Sequence, residues 1–360
     1  MPSPPHLSAH LPRARHEHLL RELSLRGSIR ASEVAAQLGV SEVTIRRDII
    51  HLEQGGHLAR VHGGAISAEA TTRPAPARTP IGLLLPGAGS HFPEVTRGAH
   101  EAALALHARL AMASTDYRAA TERRQIRQLL VLGISGLVIA PTLRGRSLED
   151  LAEELSAVPV PTVLVERDLE RTGSLAEHDW VRTDHVRGAL AALEHLHSRG
   201  HDRIGLALLD RTPTASSLRA GYARASEHLG LEALPICSLP KDDGGPDDPV
   251  DPALDALLTA SLAGGVRALL VHTDYYAARL VEKALERGLR IPEDLAIVAY
   301  DDEFAEHCIV PLTAVSPPGR EIGRLAVRTV FDHIRADGPE ELPPPRHISI
   351  SPQLVVRSSS

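Results

Sequence analysis

Two adjacent arginines, Arg46 and Arg47, follow a serine by about one helical turn in the run Gly39-Val-Ser-Glu-Val-Thr-Ile-Arg-Arg-Asp48. Guanidinium groups carry a fixed charge and a planar fork of donors, which suits phosphate oxygens and the acceptor edge of guanine. That chemistry needs a rigid support presenting the pair on one face. Ser41 is a good helix cap, and Ile45, Ile49 and Leu52 recur at i, i+4 and i+7 as an apolar stripe. The spacing predicts a helix over about 42–53, with Val43, Thr44 and Arg47 roughly opposite the stripe and Arg46 on its flank. In a major groove, Arg47 and Thr44 would reach base edges, Val43 a thymine methyl and Arg46 a phosphate. The amide groups that follow Ser41 form a second phosphate site.

The neighbouring residues position this helix. Ser32 is expected to cap a short helix over 33–38, Gly39 suits the left-handed turn that ends it, and Val40 plugs that turn. A preceding helix over about 13–25 supplies Leu19, Leu20 and Leu23 to the same small core. Residues 57–66 alternate in polarity around Gly63-Gly64 and predict a hairpin, with Arg60 and His62 reaching DNA backbone or minor groove. Gly39 to Asp48, Leu52-Glu53, Gly56, Leu58, Arg60 and His62-Gly-Gly-Ala65 together resemble the DeoR-type winged helix-turn-helix over roughly residues 13–66. The resemblance implies sequence-specific binding of duplex DNA, usually repression, with Thr44, Arg46 and Arg47 at the DNA.

Residues 1–12 read as disordered, and 67–80 (SAEATTRPAPARTP) as a semi-stiff linker. From Ile81 onward short apolar runs alternate with amphipathic stretches. Runs at 81–85, 137–139, 162–165, 204–208, 268–271 and 296–299 predict buried strands; 95–109, 118–132, 187–199 and 276–287 predict helices. This is the α/β fold class with parallel sheets, and residues 81–360 are long enough for two lobes. Asp301 follows the last of these strands, where a parallel sheet places its ligands.

Segments spread through this region resemble the LacI/GalR type of sensor, which is periplasmic-binding-protein-like. They include Ile81-Gly-Leu-Leu-Leu-Pro86, Gly136-Leu-Val-Ile-Ala-Pro141, Val163-Leu-Val-Glu-Arg167, Gly221-Tyr222, Ile291-Pro-Glu-Asp-Leu295, Ala299-Tyr-Asp-Asp302 and Gly323. This departs from the sugar-phosphate-isomerase-like sensor usual behind a DeoR-type head, and the linker shows no LacI-type hinge helix. The resemblance implies one lobe over about 81–166 and 318–340 and another over about 170–313 and 343–358. It implies ligand contacts at Arg219, Asp301 and the Thr273-Asp274 pair, and near Ser90, His91 and Phe92. Phe92, Trp180, Tyr275 or Tyr300 would stack on a sugar face. Where the resemblance has Asp-Asn after the Val181 strand, this chain has Asp184-His185, and Asp184 reads as a helix cap.

Bulk properties agree with a head that meets DNA and a body that does not. The net charge is −7. Residues 1–80 hold ten arginines against seven acidic residues, so the head carries +3 and the rest −10. Two cysteines fit a reducing compartment, no stretch reads as a signal peptide or membrane span, and the chain is expected to be cytoplasmic. No phosphate loop, nucleophile elbow or metal-binding spacing occurs, so neither a catalytic residue nor a metal or cofactor is expected. The expected partners are a double-stranded DNA operator, a small carbohydrate-like effector and a second copy of the chain, since no heptad tail follows Arg357. Two other readings stay open: a sugar-modifying enzyme with a regulatory head, and a DNA-binding dimer that senses no ligand.

Overall fold

The computed structural model describes residues 12–26, 28–55, 57–61, 63–67, 78–87, 92–167, 177–242, 248–336, 338 and 343–360. The expected disorder of 1–12, most of the linker, and the candidate residues His62, Ser90 and His91 lie outside the described residues, except that Pro12 begins a helix. The chain divides into two compact units, residues 1–78 and 79–360.

The first unit runs α1 (Pro12–Arg26), β1 (Ser28–Arg30), α2 (Ala31–Leu38), α3 (Glu42–Gln54), β2 (Leu58–Val61) and β3 (Gly64–Ser67). The strands form an antiparallel sheet in the order β1-β3-β2. Ser41 caps α3 by accepting from the Thr44 amide at 3.2 Å, and Gly39 closes α2 at φ +64. Ser32 is not a cap. A short strand leads straight into α2, Arg30 takes the cap position without a side-chain bond, and the Ala31 amide instead donates to the Gly63 carbonyl at 2.9 Å. Gly64 is required by proximity, because a Cβ there would lie 1.9 Å from the Ile29 carbonyl oxygen. Leu19, Leu23, Ile29, Val34, Ile45, Ile49, Leu52 and Leu58 make the core.

The second unit holds two sheets. Its elements begin with β4 (Pro80–Leu85), α4 (Phe92–Ala105), β5 (Arg109–Ser114), α5 (Ala119–Val131), β6 (Gly136–Ile139), α6 (Leu148–Ser156), β7 (Thr162–Val165) and β8 (Asp179–Thr183). There follow α7 (His185–Ser198), β9 (Ile204–Leu208), α8 (Ala215–Leu229), β10 (Cys237–Ser238), α9 (Val250–Ala263), β11 (Ala268–His272), α10 (Asp274–Glu286) and β12 (Ala296–Tyr300). Last come β13 (Thr313–Ser316), α11 (Gly319–Arg335), β14 (His347–Ile350) and β15 (Gln353–Val355). The first sheet has the order β14-β8-β7-β6-β4-β5 and is parallel throughout. The second has the order β10-β9-β11-β12-β13-β15 and is parallel except for its antiparallel edge β15.

The lobe limits differ from those expected. β8 and β14 belong to the first sheet, because β8 pairs with β7 and buries Val181 against Val163 and Val165. The chain therefore crosses between lobes after Thr183, after Ser316 and after Ile350. Two crossings are tied together where the Asp184 amide donates to the Ile350 carbonyl at 2.8 Å. The helix expected to reach residue 109 stops at Ala105, and β5 follows; its run RLAMAS has no β-branched residue to signal a strand. Helices α4 and α11 cross at backbone contact. A Cβ on Gly98 would lie 1.8 Å from the Arg320 carbonyl oxygen, and one on Gly323 would lie 1.9 Å from that of Val95. Among the described residues no helix is long and apolar enough to cross a membrane.

Candidate DNA-reading and ligand-binding sites

The outer face of α3 is open. Val43 is 67% exposed, and Arg46 and Arg47 are exposed. Arg46 forms an i,i+4 pair with Glu42, its Nε and Nη2 lying 3.0 and 2.6 Å from Oε1. Thr44 is half-buried, and its hydroxyl lies 2.8 Å from that of Ser41. Arg60 stands on β2 with Nε 3.7 Å from Glu53. A groove between α3 and the hairpin is lined by Arg46, Ile49, Ile50, Arg60, Val61 and Gly63. Two exposed cations thus flank one concave surface, an arrangement that suits phosphate oxygens.

Asp48, the last residue of the arginine motif, has another task. It is buried and accepts from Arg15 Nε at 2.7 Å and Nη2 at 3.1 Å, with His16 Nε2 at 3.2 Å. The Asp48 carboxylate holds Arg15 above the usual arginine value by hydrogen bonding, against the pull of burial. This pair bolts α3 to α1. The signal was present in the sequence: Asp48 sits beside Ile49 and three residues after Ile45, on the buried side.

In the second unit, a polar cavity sits beside the first crossing. Glu166, Arg167, Arg182, Thr183, His185 and Ser217 are among its walls. Glu166 follows β7 at φ +52, and its buried carboxylate accepts from the Thr183 amide at 3.1 Å and hydroxyl at 2.8 Å. Arg167 is buried and donates to the carbonyls of Pro141 and Glu166, both at 2.6 Å. Burial opposes its charge, and Tyr117, Glu166 and Glu122 favour it. A buried, oriented set of donors and acceptors of both signs can hold the hydroxyls of a small polar molecule.

A second cavity between the lobes contains Asp301, with Pro93 and Gly319 from the first lobe and Asp302, Glu303 and Ser316 near it. Asp301 follows β12 at φ +74. Each sheet therefore delivers a carboxylate residue in left-handed backbone at the end of a central strand, a strained conformation that clusters at functional sites.

The other expected ligand contacts are dispersed. Arg219 is exposed on α8 and pairs with Asp210 at 2.5 Å; the cavity is instead lined by Thr214, just before that helix, and by Ser217 in its first turn. The bond from Ser238 and the Arg219 pair hold Asp210 below the usual carboxylate range. Asp274 is buried, and its carboxylate accepts from the amides of Glu303 at 2.8 Å and Phe304 at 3.0 Å. It anchors the loop carrying Asp301. Burial pushes its pKa up, and those amide bonds oppose the shift. Thr273 is half-buried at the start of α10. Phe92 opens α4 and is buried in the first core. Trp180 and Tyr300 are also buried, Trp180 stacked on His347 at 4.9 Å with Arg182 over its ring at 4.2 Å. None of these three rings offers an open face for stacking, whereas Tyr275 is partly exposed.

Comparison with known proteins gives one match for each unit. Residues 15–71 match the DeoR-like helix-turn-helix domain, and residues 193–360 match the periplasmic binding protein-like domain. The HTH-type transcriptional regulator DegA of Bacillus subtilis (strain 168) is 25% identical over 336 residues, covering 89% of this chain and 90% of the relative. The arabinose metabolism transcriptional repressor of Geobacillus stearothermophilus is 27% identical over 340 residues, covering 91% and 90%. Among solved structures, a transcriptional regulator CelR–cellobiose complex superposes with a TM-score of 0.65 at 22% identity, over 92% of this chain and 100% of that one. The fold is thus shared along nearly the whole chain.

Proposed function

We propose that this chain, a DNA-binding transcription regulator with a DeoR-like head and a periplasmic binding protein-like body of LacI type, is a repressor. Its hold on a duplex operator is set by a small carbohydrate-like molecule bound between the two lobes of the body. One observation carries the reading: an exposed arginine face on a capped helix shares a chain with polar clefts placed where the polypeptide crosses between lobes. A relative named as a transcriptional regulator and another named as an arabinose metabolism transcriptional repressor support it.

In this reading Arg47, Thr44 and Val43 meet base edges, and Ser41, Arg46, Arg60 and His62 meet phosphate or minor groove. Asp301, Thr273, Ser90 and His91 face the effector, with Phe92 anchoring their segment in the core, Asp274 holding the Asp301 loop and Arg219 at the rim. Two copies pair so that two heads reach successive major grooves. Exposed Leu104, Met112 and Val131 lie on β5 and on the two helices that pack against it, α4 and α5, and support such a face. The effector favours one lobe arrangement, and its control over DNA is limited by its differential affinity for the two. The protein works in the cytoplasm and turns over no substrate.

The test is a thermal-shift screen of the full chain against neutral sugars, together with binding to genomic fragments across a range of salt. A specific effector raises the melting temperature by mass action. A chain that shifts no genomic fragment at low salt is not an operator-binding repressor.

A further inference from the structure

The second sheet is incompletely covered at one edge. Strand β10 has two residues and pairs only with Ala207 and Leu208 of β9. The helix over this edge, α9, seats Leu254 and Leu258 fully buried in the core. Toward the edge it presents Ala253, Ala256 and Ala260, and then Gly264 just past its end, spaced i, i+3, i+7 and i+11. Gly205 on β9 adds no side chain, and a Cβ there would lie 2.7 Å from Leu269 Cδ2. Leu234, Pro235 and Ile236, on the irregular segment before β10, form the facing wall. Small groups on helix and strand thus leave a trough of about 550 Å³ where a core would otherwise close. That volume is in the range of small-molecule sites. At about 1.5 Å of rise per residue the small-residue stripe runs about 16 Å.

One end of the trough is charged. Arg203 lines it and directly precedes β9, whose first residue Ile204 pairs with Ala268, four residues after Gly264. The cation therefore stands at the Gly264 end. Its Nη1 pairs with Glu232, and the two side chains are 41% and 54% exposed. Such an exposed pair is weak, and Nε has no acceptor at all. The carbonyls that end α9 are already taken by the amides of Gly264, Gly265 and Val266. Cys237 also lines the trough; it is half-buried, and burial raises its thiol pKa, so it stays protonated and weakly polar. Arg203 and Val266 stand at the N-terminal ends of β9 and β11, whereas Asp301 follows the C-terminal end of the parallel strand β12. The trough is thus at the opposite end of the sheet from the interlobe cavities. We propose that it binds an aliphatic carboxylate, with the alkyl chain along the small-residue face of α9 and the carboxylate at Arg203. A guanidinium fork fits a carboxylate, and an alkyl chain gains by leaving water against Ala, Leu, Ile and Cys side chains. A stripe of about 16 Å suits an extended chain of about ten to twelve carbons. The inference does not depend on what binds between the lobes.

The experiment titrates the full-length chain with hexanoate, octanoate, decanoate and the uncharged decanol, followed by calorimetry. Affinity should rise about two- to fourfold per added methylene, the larger value being that of a fully dry trough. Arg203→Gln should weaken decanoate about tenfold and leave decanol unchanged. Ala256→Leu combined with Ala260→Leu fills the trough at two exposed positions of a helix that leucine favours. It should abolish binding of both probes without lowering the melting temperature of the free chain. Decanoate should also slow alkylation of Cys237 in a Cys308→Ser chain. A wild type that binds no decanoate, or a leucine pair that binds it as well as the wild type, overturns the inference. Equal effects of Arg203→Gln on decanoate and decanol remove the carboxylate and overturn it too. Self-association that is lost in the leucine pair and indifferent to decanoate would assign the trough to a second copy instead. Should the leucine pair unfold the chain, the alkylation assay decides: an unprotected Cys237 overturns the proposal.

Discussion

In the proposed function the outer face of α3 and the cavity at the first crossing both recognise polar groups, yet they are built in opposite ways. The α3 face takes its residues from one helix of 13 residues, and its arginines stand in solvent. The cavity takes Glu166 from the end of β7, Thr183 and His185 from the crossing and Ser217 from α8, and the Glu166 and Thr183 side chains are buried. The target explains the contrast. DNA is a strong polyanion that attracts flexible cations through water. A small neutral molecule offers only hydrogen bonds, which gain strength when the partners are dry and fixed in advance. Substitutions on the α3 face should therefore alter affinity without stability, while substitutions behind either site should cost stability.

The sharpest test of that division lies behind α3. Asp48→Ala would leave Arg15 buried without its carboxylate; both side chains are 9% exposed. Breaking a buried pair from one side costs about 3–5 kcal/mol. The head should lose most of its stability and all measurable DNA binding, while the unfolding transition of the body stays put. Separate transitions are expected because the two units are compact on their own. A common shift of both transitions would show that the units are not independent.

The body has a comparable buried group in His272, which lies edge-on to Tyr300 at 6.0 Å. Burial, with help from His185, pushes its pKa down to about 3. The unfolded chain takes up a proton near the ordinary histidine value of about 6.5, so between that and about 3 the unfolded state binds more protons. Stability from this group is complete above about 6.5 and falls as the pH drops. Between about pH 6.5 and about pH 5 the loss should be about 2 kcal/mol, seen by urea unfolding of the body. His272→Phe should flatten that dependence, and an unchanged slope would show that another group titrates there.

The same contrast explains how far the sequence could be followed. The cap at Ser41, the turn at Gly39 and the stripe Ile45, Ile49, Leu52 are local facts, each set within one or two helical turns, and each appears where its spacing puts it. Ser32 misled because a cap motif competes with a strand whose partner, β3, lies more than thirty residues away. The lobe limits were misjudged for a like reason: β8 and β14 reveal their sheet only through hydrogen bonds to strands remote in sequence. Asp184 was legible as a cap, and its side chain does accept from the Arg187 amide at 2.9 Å. His185 stood out only as a departure from Asp-Asn, because its partners Glu166 and Tyr300 are brought to it by the fold. Asp274 and Arg219 carry suitable chemistry, but burial under one loop and pairing with Asp210 were not visible along the chain.

Arg47 is the next test of the open face. It is exposed and has no side-chain partner among the described residues. Arg47→Ala should weaken operator binding by about 1–3 kcal/mol and relax preference at one base pair, measured by titrating single-substituted operators at fixed salt. Melting of the head should not change. An unaltered affinity would move the DNA-reading surface off this face.

Arg46 should have the smallest effect and the most specific signature. It is held by Glu42 in an exposed i,i+4 pair, which is worth only about 0.3–0.5 kcal/mol. A phosphate oxygen is a stronger competitor, because binding it also releases condensed counterions. In the proposed complex Arg46 would leave Glu42 for the DNA backbone, an exchange that carries no sequence information. Arg46→Ala should weaken binding to every operator variant by the same factor and lower the slope of log affinity against log salt by about 0.9. Arg47→Ala, in contrast, should change the ranking of operators. If Arg46→Ala changed the ranking and Arg47→Ala only the slope, α3 would sit in the groove rotated by about one residue, with Arg46 over the bases.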